Sequence, residues 1–134
     1  MSKTSRFFLR ALLSVITILI GLILIGCTQD NNIDITVSPN VLNLEANGGV
    51  FTIHADVKYH ADSDVKVYLN NSLDSVSVLS TFADSRGDLV VKCDIHDVKE
   101  VVAEGSANVK LSVYTKDGVS YWGTDTIDVV SKGK

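Results

Sequence analysis

Asn47-Gly48-Gly49-Val50-Phe51-Thr52-Ile53-His54-Ala55-Asp56-Val57 is the stretch that decides the fold. Asn47-Gly48-Gly49 is a turn that needs positive φ, which glycine adopts without steric penalty. Beyond it Phe51, Ile53, Ala55 and Val57 fall on one face, and Thr52, His54 and Asp56 on the other. That two-residue period is the mark of a half-buried strand. The period recurs in both directions. Toward the N-terminus Ile33, Ile35 and Val37 alternate. Pro39 then interrupts, as proline does on an edge strand or at a switch between sheets, and Val41-Leu42-Asn43-Leu44 resumes.

Toward the C-terminus His60 to Asp64 is a polar corner, and Val65, Val67 and Leu69 form a strand ended by Asn70-Asn71-Ser72. Ser75 to Phe82 is another, followed by the turn Asp84-Ser85-Arg86-Gly87-Asp88 and a strand over Leu89–Ile95. Asp97-Val98-Lys99-Glu100 has the spacing of a capped helical turn. Val98, Val101 and Val102 would pack it onto the sheet, and Gly105 would stop it. Val109, Leu111 and Val113 lead to the hairpin turn Lys116-Asp117-Gly118, and the chain returns through Tyr121, Ile127 and Val129. Some seven short strands with one helical turn describe an all-β chain, a single immunoglobulin-like β-sandwich over residues 33–131, preceded by an apolar signal helix.

The run Gly87-Asp88-Leu89-Val90-Val91-Lys92-Cys93-Asp94 and the ending Asp117-Gly118-Val119-Ser120-Tyr121-Trp122-Gly123-Thr124-Asp125-Thr126-Ile127-Asp128-Val129-Val130 carry a resemblance. With Val37-Ser38-Pro39-Asn40-Val41-Leu42-Asn43-Leu44, they resemble a small immunoglobulin-like accessory module that closes many secreted bacterial and archaeal proteins. Its usual ending is D-G-x-x-aromatic-x-G-x-D-x-I-x-V. The stretch 56–80 departs from it. The resemblance implies a fold more than an activity.

At the N-terminus Lys3, Arg6 and Arg10 precede a charge-free run from Ala11 to Gly26 that ends in Leu24-Ile25-Gly26-Cys27. A cationic start, an apolar middle and small residues at the cut are the layout of a secretory signal. The last four residues resemble the lipobox of bacterial lipoproteins. In that family the cysteine receives a diacylglycerol and a peptidase cuts before it. The resemblance implies a signal peptide over 1–26, cleavage between Gly26 and Cys27, lipidation of Cys27 and a tether over 27–32. It implies a membrane partner through diacylglyceryl-cysteine, and residence on the outer face of the plasma membrane or in an outer membrane. Ordinary cleavage without lipid is one alternative and an uncleaved signal anchor another, because Phe7 to Ile25 reaches the lower limit of a membrane span if Arg10 snorkels. The anchor too would place the rest of the chain outside.

The net charge of −4 changes once the signal is set apart, since residues 1–26 hold three cations and no acid. Residues 27–134 have 9 Lys+Arg against 16 Asp+Glu, a net −7. An acidic domain argues against nucleic acid as partner and against peripheral binding to anionic lipid head groups, so attachment would come from the lipid rather than from charge. Two cysteines in an exported protein would suggest a disulfide. With Cys27 taken by lipid, Cys93 stands alone as a small buried hydrophobe on the face of Leu89 and Val91.

Few residues suggest chemistry. Asp84 and Asp88 are the one calcium candidate, weighed against solvated turn acids. Arg86 sits between them and the loop supplies few of the six to eight oxygens that calcium takes. Arg86-Gly87-Asp88 is also a tripeptide that adhesion receptors read, though Gly-Asp is ordinary turn chemistry. His54, His60 and His96 share no metal spacing. No nucleophile, acid pair or phosphate loop stands out, and no cofactor is implied. Trp122 is expected to point outward if Tyr121 takes the core position near Val113, and with Tyr114 it is the candidate for ligand or partner contact. These features describe a non-enzymatic structural or protein-interaction lipoprotein of the envelope. The alternative is a carbohydrate- or ligand-binding module that stacks its ligand on Trp122 and Tyr114.

Overall fold

The computed structural model describes residues 30–131. The signal run, the Leu24–Cys27 motif and tether residues 27–29 lie outside them. Two sheets account for the fold. One is built from β2 (Ile35–Ser38), β4 (Phe51–Lys58), β7 (Asp88–Cys93) and β6 (Val78–Ala83), in that order. The other runs β1 (Asp30–Asn32), β9 (Ser120–Val130), β8 (Gly105–Tyr114) and β5 (Asp64–Leu69), with β3 (Val41–Asn43) also paired to β9. Their facing surfaces form one core. Phe51, Ile53, Val91 and Cys93 come from the first sheet, and Val67, Val109, Leu111 and Ile127 from the second.

The period-two reading holds through β4, where Phe51, Ile53 and Ala55 are buried and His54 and Asp56 exposed. Pro39 lies between β2 and β3 and marks a switch from one sheet to the other. The Thr115–Val119 turn then sets Tyr121 opposite Val113.

Four local features differ from the sequence reading. First, nine strands are present among the described residues instead of about seven. Asp30–Asn32, read as tether, runs parallel to β9 from Ser120 to Trp122. Backbone groups make that pairing, so its polar side chains carry no periodic signal. Second, the Ser75–Phe82 strand is split. Val76 bridges Val67 at the edge of β5, and β6 then begins at Val78 in the other sheet. Third, β7 stops at Cys93 and the helix α1 (Ile95–Glu100) begins before Asp97. Its N-cap is Asp94, whose carboxylate accepts the His96 N–H at 2.9 Å and so ends the strand early. Fourth, Val98 and Val102 pack inward, but Val101 at the C-cap is exposed.

No helix among the described residues is long and apolar enough to cross a membrane.

Candidate functional site

Cross-strand partners share a sheet face, so the register of β8 with β9 places the aromatic residues. Trp122 lies opposite Ser112, and Tyr114 opposite Ser120. The two rings are therefore diagonal neighbours on the outer face of the β1-β9-β8-β5 sheet. The β5–β8 register adds Tyr68 beside Lys110 and Lys66 beside Ser112 on the same face. Lys110 Nζ stands 5.8 Å from the centre of the Trp122 ring, within the range of a cation–π contact. A shallow depression lined by Lys110, Ser112, Ser120 and Trp122 continues into a second lined by Tyr68, Leu73 and Lys110. Leu73 is almost wholly exposed beside it. Trp122 and Tyr114, singled out in the sequence, are thus brought together, and the sheet adds Tyr68 and Lys110 to them.

Asp84 and Asp88 are also neighbours, but their oxygens already have partners. Asp84 Oδ1 accepts the backbone N–H of Arg86 at 2.8 Å and of Asp88 at 2.9 Å. These bonds, Asp88's first, hold the Asp84 carboxyl below its usual range, and the Arg86 charge adds to the effect. Asp88 is buried and meets Lys58 Nζ at 2.6 Å and Arg86 Nη2 at 3.3 Å. The pair works as a turn lock joining the β6–β7 turn to the end of β4. Among the described residues no three His, Cys, Asp or Glu side chains converge on one point.

Cys93 is fully buried, and burial pushes its thiol up to about 12, with the Asp97 charge adding to the effect. Such a thiol carries almost no thiolate at neutral pH and does not act as a nucleophile. Thr115 closes the β8–β9 turn by donating its hydroxyl to the Val119 carbonyl at 3.0 Å. The Asp117 carboxyl is held below its ordinary value, chiefly by the neighbouring Thr115 side chain and then by its own backbone N–H.

The sheet edges matter as much as the faces, because an open edge offers unpaired backbone groups to another chain. Three of the four are blunted. The edge of β9 is covered by β1 and β3. In β2 the Val37 N–H, which would otherwise lack a partner, donates to Asp125 Oδ2 at 2.9 Å. At β5 the Val76 N–H reaches the Val67 carbonyl at 2.9 Å, and Asp64 and Lys66 add charge. The β6 edge has no strand beyond it among the described residues. Its sequence, Val78-Leu79-Ser80-Thr81-Phe82-Ala83, contains no charge, proline or glycine. Leu79 is 62% and Phe82 38% exposed. A bulge at Leu79 leaves Ser80–Ala83 as the regular stretch. Alternation alone does not reveal which strand lies outermost, so this edge has no signature in the sequence.

Known protein families, curated proteins and solved structures were compared with the chain, and none of them matches it.

Proposed function

We propose that the protein is a lipid-anchored, extracytoplasmic interaction module with an immunoglobulin-like fold, recruiting an envelope protein by strand addition at β6. The observation that carries this reading is the contrast among the edges, three blunted and one uncharged and open. Natural sheets guard their edges with charge, proline or cover, and β-augmentation is a recurrent use of an edge left free.

The strand orders support the immunoglobulin-like assignment. β2-β4-β7-β6 follows the A-B-E-D order of that fold, and β9-β8-β5 follows G-F-C. The anchor rests on the cationic start, the apolar run and Leu24-Ile25-Gly26-Cys27. The reading is non-enzymatic because the two acids singled out in the sequence, Asp84 and Asp88, are committed to locking a turn.

The test is a photo-crosslinking side chain placed at Leu79 in intact cells, with the same group at exposed Val101 as control. A discrete protein adduct is expected from Leu79 alone. It should vanish in Ser80→Lys, whose side chain is already exposed, without a change in thermal midpoint. Equal adducts from both positions, or an adduct that survives Ser80→Lys, would remove strand addition as the mechanism.

A further inference from the structure

We infer that the outer face of the β1-β9-β8-β5 sheet, centred on Trp122, rests on the headgroup layer of the membrane that holds the anchor. This seating rests on the lipid anchor proposed above and on where the described chain begins. Asp30 is paired with Ser120 and Asn32 with Trp122, so the chain enters the fold alongside this aromatic edge. Cys27 is three residues before Asp30 and five before Asn32. At roughly 3.3–3.6 Å per extended residue, five residues reach about 18 Å at most. A bilayer's polar layers together add some 10–15 Å to its hydrocarbon core. An acylated Cys27 therefore keeps Trp122 within about one headgroup layer and a side chain of the surface.

The chemistry of the face suits that position. Trp and Tyr rings concentrate at membrane–water boundaries, where one end is apolar and the other hydrated. Trp122, Tyr114 and Tyr68 share this surface, with Leu73 exposed at its margin. The chain beyond the signal carries a net −7, yet two cations, Lys66 and Lys110, stand among these rings. Lys110 Nζ lies over the Trp122 ring, and Lys66 Nζ is 3.3 Å from Asp64 on the same face; side chains of this length can snorkel toward phosphate.

The other way to seat the domain is end-on, through the turns beside Ser120. That end presents Asp62, Asp84 and Asp117, acids that lipid phosphates repel, with Lys116 beside Asp62, Arg86 beside Asp84 and Lys58 beside Asp88. Face-down seating avoids them. It also leaves β6, which belongs to the opposite sheet, turned away from the bilayer.

Trp122 is the single tryptophan of the chain, so its fluorescence reports on this face alone. The full-length protein extracted from membranes is reconstituted into phosphatidylcholine–phosphatidylglycerol vesicles, with and without acyl chains brominated near the headgroup. Flotation with the vesicles is scored separately. The expected result is co-flotation with about a twofold or greater quenching of Trp122 by the brominated lipid. Quenching should weaken in Lys66→Glu/Lys110→Glu, which still floats. Flotation without quenching, and with Trp122 fully open to acrylamide, overturns the face-down arrangement and leaves the anchor standing. Failure to float removes the anchor, and this inference with it. Trp122 emission that responds to soluble envelope glycan but not to brominated lipid makes the face a glycan platform and overturns the membrane assignment.

Discussion

The Val37 backbone N–H in β2 donates to the Asp125 carboxylate in β9 at 2.9 Å, joining positions 88 residues apart across the two sheets. The second carboxylate oxygen accepts the Thr126 N–H at 2.8 Å. One side chain therefore satisfies a donor at the edge of the first sheet and fixes its own backbone in the second. Asp125→Ala leaves a donor unpaired beneath a residue that is almost fully buried. The loss should be about 2 kcal/mol, seen in urea as a lower midpoint with an unchanged slope. Asp125→Asn, which keeps a carbonyl acceptor, should lose less.

Gly123 is the second fixed point of the same crossing. A Cβ there would sit 2.5 Å from the Ile33 carbonyl oxygen and 2.7 Å from Ile35 Cγ2. Backbone cannot swing aside as a flexible side chain can, so the segment joining β1 to β2 must move. Gly123→Ala should destabilise by about 2–3 kcal/mol. Gly118→Ala is the contrast, with positive φ but only an ordinary contact at 3.8 Å. Its effect should be nearer 1 kcal/mol.

How far these residues speak from the sequence alone varies with the physics behind each. The strands that build the core were legible because burial imposes period two on Phe51-Ile53-Ala55 and on Val109-Leu111-Val113. Trp122 could be placed opposite the core once Tyr121 was set against Val113. The role of Asp125 was not legible, because its partner is a backbone N–H far along the chain and no side-chain pattern encodes it. β1 was missed for the same reason, its pairing being backbone to backbone. The early cap at Asp94 was hidden by two later acids, Asp97 and Glu100, whose spacing also reads as a helix start.

Thiol counting probes the core and the anchor together. Native Cys93 should resist a thiol reagent at pH 8, since it is buried and its thiol is raised to about 12. In denaturant one thiol per chain should react, although the sequence has two cysteines, because Cys27 would be a thioether. Two reactive thiols would mean an unmodified Cys27.

Acid stability depends on Asp84 and Asp117, both held below the ordinary value of 3.8 in the fold. A depressed carboxyl contributes stability that is fully present above its unfolded value. That contribution is lost as pH falls from there through the folded value. The thermal midpoint should therefore decline below about pH 4, and Asp84→Asn should flatten part of that decline. A decline confined to the histidine range would point to other groups.

The intact mass of the protein extracted from membranes tests the central claim, lipid anchoring, most directly. A chain that begins at Cys27 and carries the added mass of a diacylglyceryl group is expected. A membrane-bound species at the full mass of the unmodified 134-residue chain would contradict it and establish the uncleaved anchor instead.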